Sequence, residues 1–259
     1  MFKRAPAALA STPGSGGLIA RALDLLMPPV CLSCHLPMGT PDSLCPACWS
    51  QVDFIGHPVC DRLGLPMPYA TGEVMISAAA AAQPPIYARA RAVAAYDGTM
   101  ARLIKGFKFS DRLEARRLLG TLLMQAGREL LEDARVIVPV PLARGRLFHR
   151  RFNQSAILAK EVARRSQKPF APLALTRVRP TRRQVGLSAR QREANVAKAF
   201  AVPVPRRAIV SGQRVLLVDD VITTGATANA AARALLEAGA TAVDVLALAL
   251  VTAPARMTT

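Results

Sequence analysis

Two adjacent acids, Asp219 and Asp220, close an apolar run in the stretch RVLLVDDVITTGAT, Arg214 to Thr227. Neighbouring carboxylates are costly unless cations or hydrogen donors meet them. An ionised carboxylate accepts two hydroxyls at once, so the pair suits a diol. Thr223, Thr224, Gly225, Ala226 and Thr227 follow directly. Small residues at a helix start let backbone N–H groups face an anion, and the helix dipole adds to the attraction. Gly225 permits close approach or a positive φ, and three threonine hydroxyls add donors. A diol grip and an anion cradle about one pentose apart describe a site for a ribose 5-phosphate. An ordinary strand-to-helix turn explains one Asp and one Thr as turn and cap, but not the whole set.

A second phosphate-directed stretch is VPVPLARGRLFHRRFNQSAILAK, Val138 to Lys160. Pro139 and Pro141 stiffen a strand exit, and X-Pro bonds are where a cis peptide costs little. Outward backbone N–H groups around Val140 and Pro141, with Arg144, Arg146, Arg150 and Arg151, would suit a pyrophosphate, since the arginine fork pairs donors with phosphate oxygens. Asn153 reads as the N-cap of the next helix. A third stretch, Thr181 to Phe200, is polar and basic and then helical. It suits a mobile lid, with Gln184, Leu187, Ser188 and Asn195 facing the ligand. For both stretches the competing reading is a solvated basic surface.

All five cysteines lie between Cys31 and Cys60. CLSCHLPMGTPDSLCPACW holds two CxxC pairs, Cys31/Cys34 and Cys45/Cys48. Paired thiolates on tight knuckles suit a closed tetrahedral zinc site, structural and not catalytic. Two redox pairs or buried free thiols are the alternative. His35 and His57 stand nearby as bystanders. Cys60 has Leu63 where a CxxC partner would fall, so it is a spare thiol or an alternative ligand.

The elements that must position these groups follow from periodicity. Strands are expected at 87–96, 135–140, 173–179, 214–220 and 242–251. Helices are expected at 18–26, 98–109, 112–134, 153–167 and 226–240. Short buried strands between helices imply an α/β fold, a parallel sheet flanked by helices. The division reads as a disordered tail over 1–17, a helix with a zinc-ribbon region over 18–70, and a linker over 71–85. A main domain over 86–253 and a tail over 254–259 complete it. No internal repeat stands out.

The chain has 259 residues and a formal charge of +17. Such a balance favours polyanions: nucleic acid, acidic membranes or phosphorylated small molecules. From Pro141 to Arg192 there are 14 Lys/Arg against one acid, Glu161. No apolar run is long enough to span a membrane. Clustered cysteines and the lack of a signal-peptide core predict a cytoplasmic protein.

VLLVDDVITTGAT resembles the 5-phosphoribosyl-1-pyrophosphate (PRPP) signature of type I phosphoribosyltransferases. Together with VPVP…R…RFNQ, the GLS…R..N…F phrase, LIKGFKF and the cysteines, it resembles the ComF/GntX family over about residues 20–252. The resemblance implies a phosphoribosyltransferase-like fold with a small N-terminal zinc-ribbon subdomain and a link to DNA uptake and transformation. It implies that Asp219 and Asp220 take the ribose and that residues 223–227 take the 5′-phosphate. PRPP would come with Mg²⁺, and Zn²⁺ would be structural. The candidate catalytic cations are Arg190, Arg192 and Lys108, the last preferred over Lys105. Relatives often carry a third CxxC, which Leu63 interrupts here. The acceptor stays open. The alternative is a non-catalytic protein that binds single-stranded DNA on the same fold, and a DNA-uptake helicase is a further candidate partner.

Overall fold

The computed structural model describes residues 29–70, 74–109, 115–142, 152–179 and 189–252. The expected helix at 18–26 and both tails lie outside them. Four parallel strands form the central sheet: β1 (Arg89–Ala95), β2 (Val136–Pro139), β5 (Arg214–Ile222) and β6 (Ala242–Leu250), in the order β1-β6-β5-β2. β6 is buried over nearly its whole length. That explains its near-continuous apolar run, since a parallel strand with helices on both faces meets no water.

One face carries α3 (Gly98–Phe109), α4 (Ala115–Ala126) and α6 (Gln154–Ser166). Their apolar sides, including Met100, Ile104, Leu119 and Leu158, share a core with Leu216, Val218 and Leu246 of the sheet. Each fully buried side chain of this size contributes about 1.5–3 kcal/mol. The other face carries α9 (Ala226–Glu237), whose Ala231, Ala232 and Leu235 pack on Val215, Leu217 and Val245.

Two expectations needed correction. The helix expected over 112–134 is, in its described part, two helices, α4 and α5 (Arg128–Asp133), parted by Gly127. A Cβ at Gly127 would lie 2.7 Å from Leu246 Cδ2, so the glycine lets the junction of the two helices sit close against that side chain. The strand expected over 173–179 shrinks to β3 (Thr176–Arg177). It pairs antiparallel with β4 (Phe200–Ala201) outside the central sheet. Pro172 and the exposed Leu173 and Val178 deny it a two-faced burial.

The cysteine segment is docked on β1. Ile55 N donates to Val93 O (3.0 Å) and Ala95 N donates to Asp53 O (2.9 Å). Ser77 caps a short helix, α2 (Ala78–Ala82), within the stretch read as linker. Among the described residues no helix is long and apolar enough to cross a membrane.

At the opposite end of the sheet from the acid pair, fully buried Asp244 is gripped by two arginine forks. Arg89 donates at 3.1 and 2.8 Å, and Arg214 at 2.7 and 3.0 Å. Removing one partner of a buried pair leaves the other charge unmet. Asp244→Ala is expected to lower stability by about 2–4 kcal/mol, read as a fall in Tm on thermal unfolding.

Candidate functional site

β5 is buried through Val218 and opens from Asp219 onward. The reason is topological. β2 ends at Pro139, which pairs with Val218, so Asp219 is the first β5 residue past its neighbour. The strand itself continues to Ile222. The acids therefore lie beside the tip of β2, two residues before the end of their own strand, which the sequence alone places at Asp220. Consecutive strand residues normally face opposite sides. Here both carboxylates engage helices of one layer, Asp219 through α6 and Asp220 through α3.

Asn153 caps α6 by accepting from Ser155 N (3.1 Å), while its amide donates to Val140 O (3.0 Å). That ties the start of α6 to the exit of β2. Ser155, nearly buried, then donates its hydroxyl to Asp219 Oδ1 (3.0 Å), which also accepts from Asp220 N (2.8 Å). Asp220 Oδ2 is paired with Lys108 Nζ at the last turn of α3. Gln154 Nε2 donates to Lys108 O (3.3 Å), so α6 also steadies the lysine. Burial, and then the Asp220 charge, push the Asp219 carboxyl up to about 7. The site thus holds one carboxylate neutralised by a lysine and one poised to lose its proton near neutrality.

Thr223 and Thr224 are exposed in the bend after β5, and Ala226 and Thr227 open α9. Gly225 stands at φ 75°, a left-handed conformation that side chains disfavour. An added Cβ would also lie 3.4 Å from the Tyr87 hydroxyl. Burial pushes that hydroxyl up to about 12, so the residue backing the loop stays neutral. Gly225→Val imposes backbone strain, since a residue with a Cβ must then take a left-handed φ. It is expected to weaken binding of a phosphorylated sugar at least tenfold and lower stability by about 1–3 kcal/mol, checked by titration calorimetry and thermal unfolding.

The structure brings together Lys108, Asp219, Asp220, residues 223–227 and the Val140–Pro141 exit. Val140 N is already given to Val218 O (2.9 Å), and proline has no N–H. Neither Val140 nor Pro141 therefore has a free backbone N–H to offer a ligand, which departs from the expected donor role of this exit. The cis peptide among the described residues precedes Pro58, not Pro139 or Pro141. Arg144, Arg146, Arg150, Arg151, Gln184, Leu187 and Ser188 lie outside the described residues. Arg190 and Arg192 belong to α7 (Ala189–Val196), which packs against α9, but their side chains also lie outside them. Asn195 lies in the same helix, and its carbonyl accepts from Arg179 (3.3 Å).

Sequence reasoning missed Ser155, Gln154 and Tyr87. The signal for the first two was the polar pair directly after an N-cap, where an amphipathic helix has no reason to bury Gln and Ser. Tyr87 carried no such signal.

The Sγ atoms of Cys31, Cys34, Cys45 and Cys48 all lie within 4.8 Å of one another. Zn–S bonds of about 2.3 Å in a tetrahedron put sulfurs about 3.8 Å apart. The Cys34–Cys45 separation of 3.7 Å matches. Cys45 starts a short helix, α1 (Pro46–Ser50), and accepts from Cys48 N (3.4 Å). Four thiols with no other donor fit a structural Zn²⁺, which would tie the knuckle to α1.

A family model described as a phosphoribosyl transferase domain matches residues 153–257, and one described as a double zinc ribbon domain matches residues 22–80. DNA utilization protein YhgH of Escherichia coli K12 is 34% identical over 233 residues, 86% of this chain and 98% of that protein. Competence protein F of Haemophilus influenzae is 31% identical over 216 residues, 80% of this chain and 90% of that protein. A solved structure, that of the allosteric regulatory enzyme of purine biosynthesis, is 30% identical over 51% of this chain and 25% of its own, with a TM-score of 0.35, too slight an overlap to argue from. With relatives 34% and 31% identical over most of the chain and family models for both regions, the chain belongs to the ComF/GntX family of phosphoribosyltransferase-like proteins with an N-terminal zinc ribbon.

Proposed function

We propose that this protein binds PRPP and transfers its phosphoribosyl group in the handling of DNA, the setting that the name of the DNA utilization relatives carries. The observation that supports this most is the juxtaposition of the Asp219–Asp220 pair with the left-handed Gly225 bend at the start of α9. The two carboxyl groups beside the tip of β2 accept the ribose hydroxyls, Asp219 once it has lost its proton, and the bend with its threonines takes the 5′-phosphate. An acceptor then attacks C1, the C1–oxygen bond to pyrophosphate breaks, and pyrophosphate leaves with the bonding electrons. Hard oxygen donors suit Mg²⁺, so Asp219 and Asp220 would hold it together with the substrate's oxygens, where it would neutralise leaving-group charge. The chain's own part is to align C1 and to exclude water, with Lys108 released from Asp220 as a cation for the leaving group.

For single-stranded DNA as a ligand, several cations in the described part of the basic stretch are already engaged within the protein, although Lys160 is exposed. Arg164 and Arg165 are paired with Glu161 (2.8 and 2.6 Å), holding that carboxyl down at about 2. Lys168 is bonded to Ala134 O (2.8 Å), and Arg177 lies 5.1 Å from the Phe200 ring centre.

The test is thermal unfolding with PRPP and MgCl₂. A ligand at 100 times its Kd adds about 2.7 kcal/mol, a rise of roughly 5–10 °C for a chain of this size. Pyrophosphate release across a panel of bases and oligonucleotides then identifies the acceptor. No shift with PRPP at millimolar concentration would refute the reading.

A further inference from the structure

We infer that residues 58–70 and 74–82 form a second ribbon that keeps the fold of the first and holds no metal. The two segments PVCLSCHLPM (29–38) and PVCDRLGLPM (58–67) align position by position. Their geometry repeats as well, a relation that the sequence reading did not detect. Val30 bridges Pro37, and Val59 bridges Pro66. Cys31 N donates to Leu36 O (2.8 Å), and Cys60 N donates to Leu65 O (2.7 Å). His35 and Gly64, at equivalent places, both have positive φ, 65° and 68°.

The second halves correspond too. Leu32 N donates to Ser43 O (3.0 Å), as Asp61 N donates to Met75 O (2.8 Å). Cys45 N donates to Cys31 Sγ (3.3 Å), as Ser77 N donates to Cys60 Sγ (3.3 Å). Cys45 caps α1 by accepting from Cys48 N (3.4 Å), as Ser77 caps α2 by accepting from Ala80 N (3.3 Å). The four ligand positions of the first ribbon, Cys31, Cys34, Cys45 and Cys48, thus become Cys60, Leu63, Ser77 and Ala80.

That set does not fit zinc. Leu63 and Ala80 offer no donor, and the Ser77 hydroxyl is occupied as a helix cap. One thiol cannot fill a tetrahedral site. Among the described residues, the cluster able to hold a metal is the first four cysteines. The family model's two zinc ribbons are therefore two folds but one metal site.

Protein contacts replace the metal. Asp61 Oδ2 accepts from Met75 N (2.6 Å), closing the two halves of the ribbon on each other. Arg91 of β1, nearly buried, donates to Asp61 O (3.0 Å). Arg62 donates to Pro85 O (2.7 Å) and Tyr87 O (3.0 Å). At Gly64 a Cβ would come within 2.5 Å of Ala90 O, so the second knuckle is pressed against the sheet backbone. The same clamp holds Tyr87 behind Gly225, linking the metal-free ribbon to the phosphate loop.

The test is zinc stoichiometry by native mass spectrometry of the full chain, with hydrogen exchange before and after chelation. One zinc per chain is expected, and Cys60→Ser should leave that count unchanged. Chelation should strip protection from the amides of Cys31, Cys45 and Cys48 while those of Cys60, Asp61 and Ala80 keep theirs. The triple variant Leu63→Cys, Ser77→Cys, Ala80→Cys should raise the count to two. Two zincs on the wild-type chain, or loss of one in Cys60→Ser, would overturn the inference. So would parallel loss of protection in both ribbons. A folded triple variant still holding one zinc would overturn the equivalence of the four positions.

Discussion

Asp219→Asn is expected to weaken PRPP binding about 100-fold and, at pH 8, to make the protein more stable than wild type. Asparagine keeps the carbonyl oxygen that accepts from Ser155 Oγ and from Asp220 N, so the loop geometry is retained. What it loses is the charge. The carboxyl's value is raised from its ordinary range to about 7, by burial and then by the Asp220 charge. Between those values the folded protein binds more protons at this site than the unfolded chain does. Stability therefore falls as pH rises from about 4 to about 7, and the loss is complete above that. The asparagine variant has no such slope. Its Tm at pH 8 should rise by roughly 2–4 °C, with no gain below pH 4. Losing a charged acceptor for the ribose hydroxyls costs about 2–3 kcal/mol, so affinity should fall by about 100-fold. Thermal scans across pH and calorimetry with PRPP and Mg²⁺ read both. A variant that bound PRPP normally would remove Asp219 from the site. Asp220→Asn should behave differently, because it strands Lys108, whose side chain is only 17% exposed. It should lose binding without gaining stability.

Loss of zinc from the first ribbon is the other large effect. Cys31, Cys45 and Cys48 are buried in the same apolar core as Val93, Met100, Leu103 and Phe107. Metal removal therefore leaves buried thiols facing one another at the edge of the main core, not on a separate appendage. Structural zinc contributes on the order of 10 kcal/mol in small isolated ribbons, and here neighbouring packing retains part of it. Cys48→Ala or chelation is expected to lower Tm by more than 10 °C. The effect should reach the sugar site as well. The core shared with the ribbon includes the apolar side of α3, the helix that carries Lys108, and Arg102 of that helix donates to Ser33 Oγ (3.1 Å). PRPP affinity measured at a temperature where the chelated protein is still folded should therefore fall too. A chelated protein with unchanged Tm and affinity would show that the cysteines hold no structural metal.

The match between sequence and structure follows the range of the interactions. β5, its acids, the Gly225 bend and α9 form one continuous stretch whose logic is local: an apolar run, two acids, a small-residue turn and a helix. The zinc cluster was equally legible, because two CxxC knuckles leave thiols few other uses. Helix 98–109 and the capping role of Asn153 were readable for the same reason. The misread elements depend on distant partners. At the break, Gly127 lies where a Cβ would meet the distant Leu246 side chain, a contact no local pattern shows. β3 is short because its pairing partner is β4 and not the central sheet. The second ribbon escaped notice because three of its four ligand positions had changed identity while its hydrogen bonds had not.

From the sequence alone come the acid pair with its small-residue bend, the four-thiol cluster and the α/β class, since each follows from neighbours within a few residues. Only the tertiary structure decides that Lys108 faces Asp220, that Ser155 holds Asp219, that Tyr87 backs Gly225 and that a metal-free ribbon clamps β1. Those contacts join residues remote in sequence. Their geometry is set by how helices and sheet exclude water together, and no local pattern encodes which distant side chain will fill a given space.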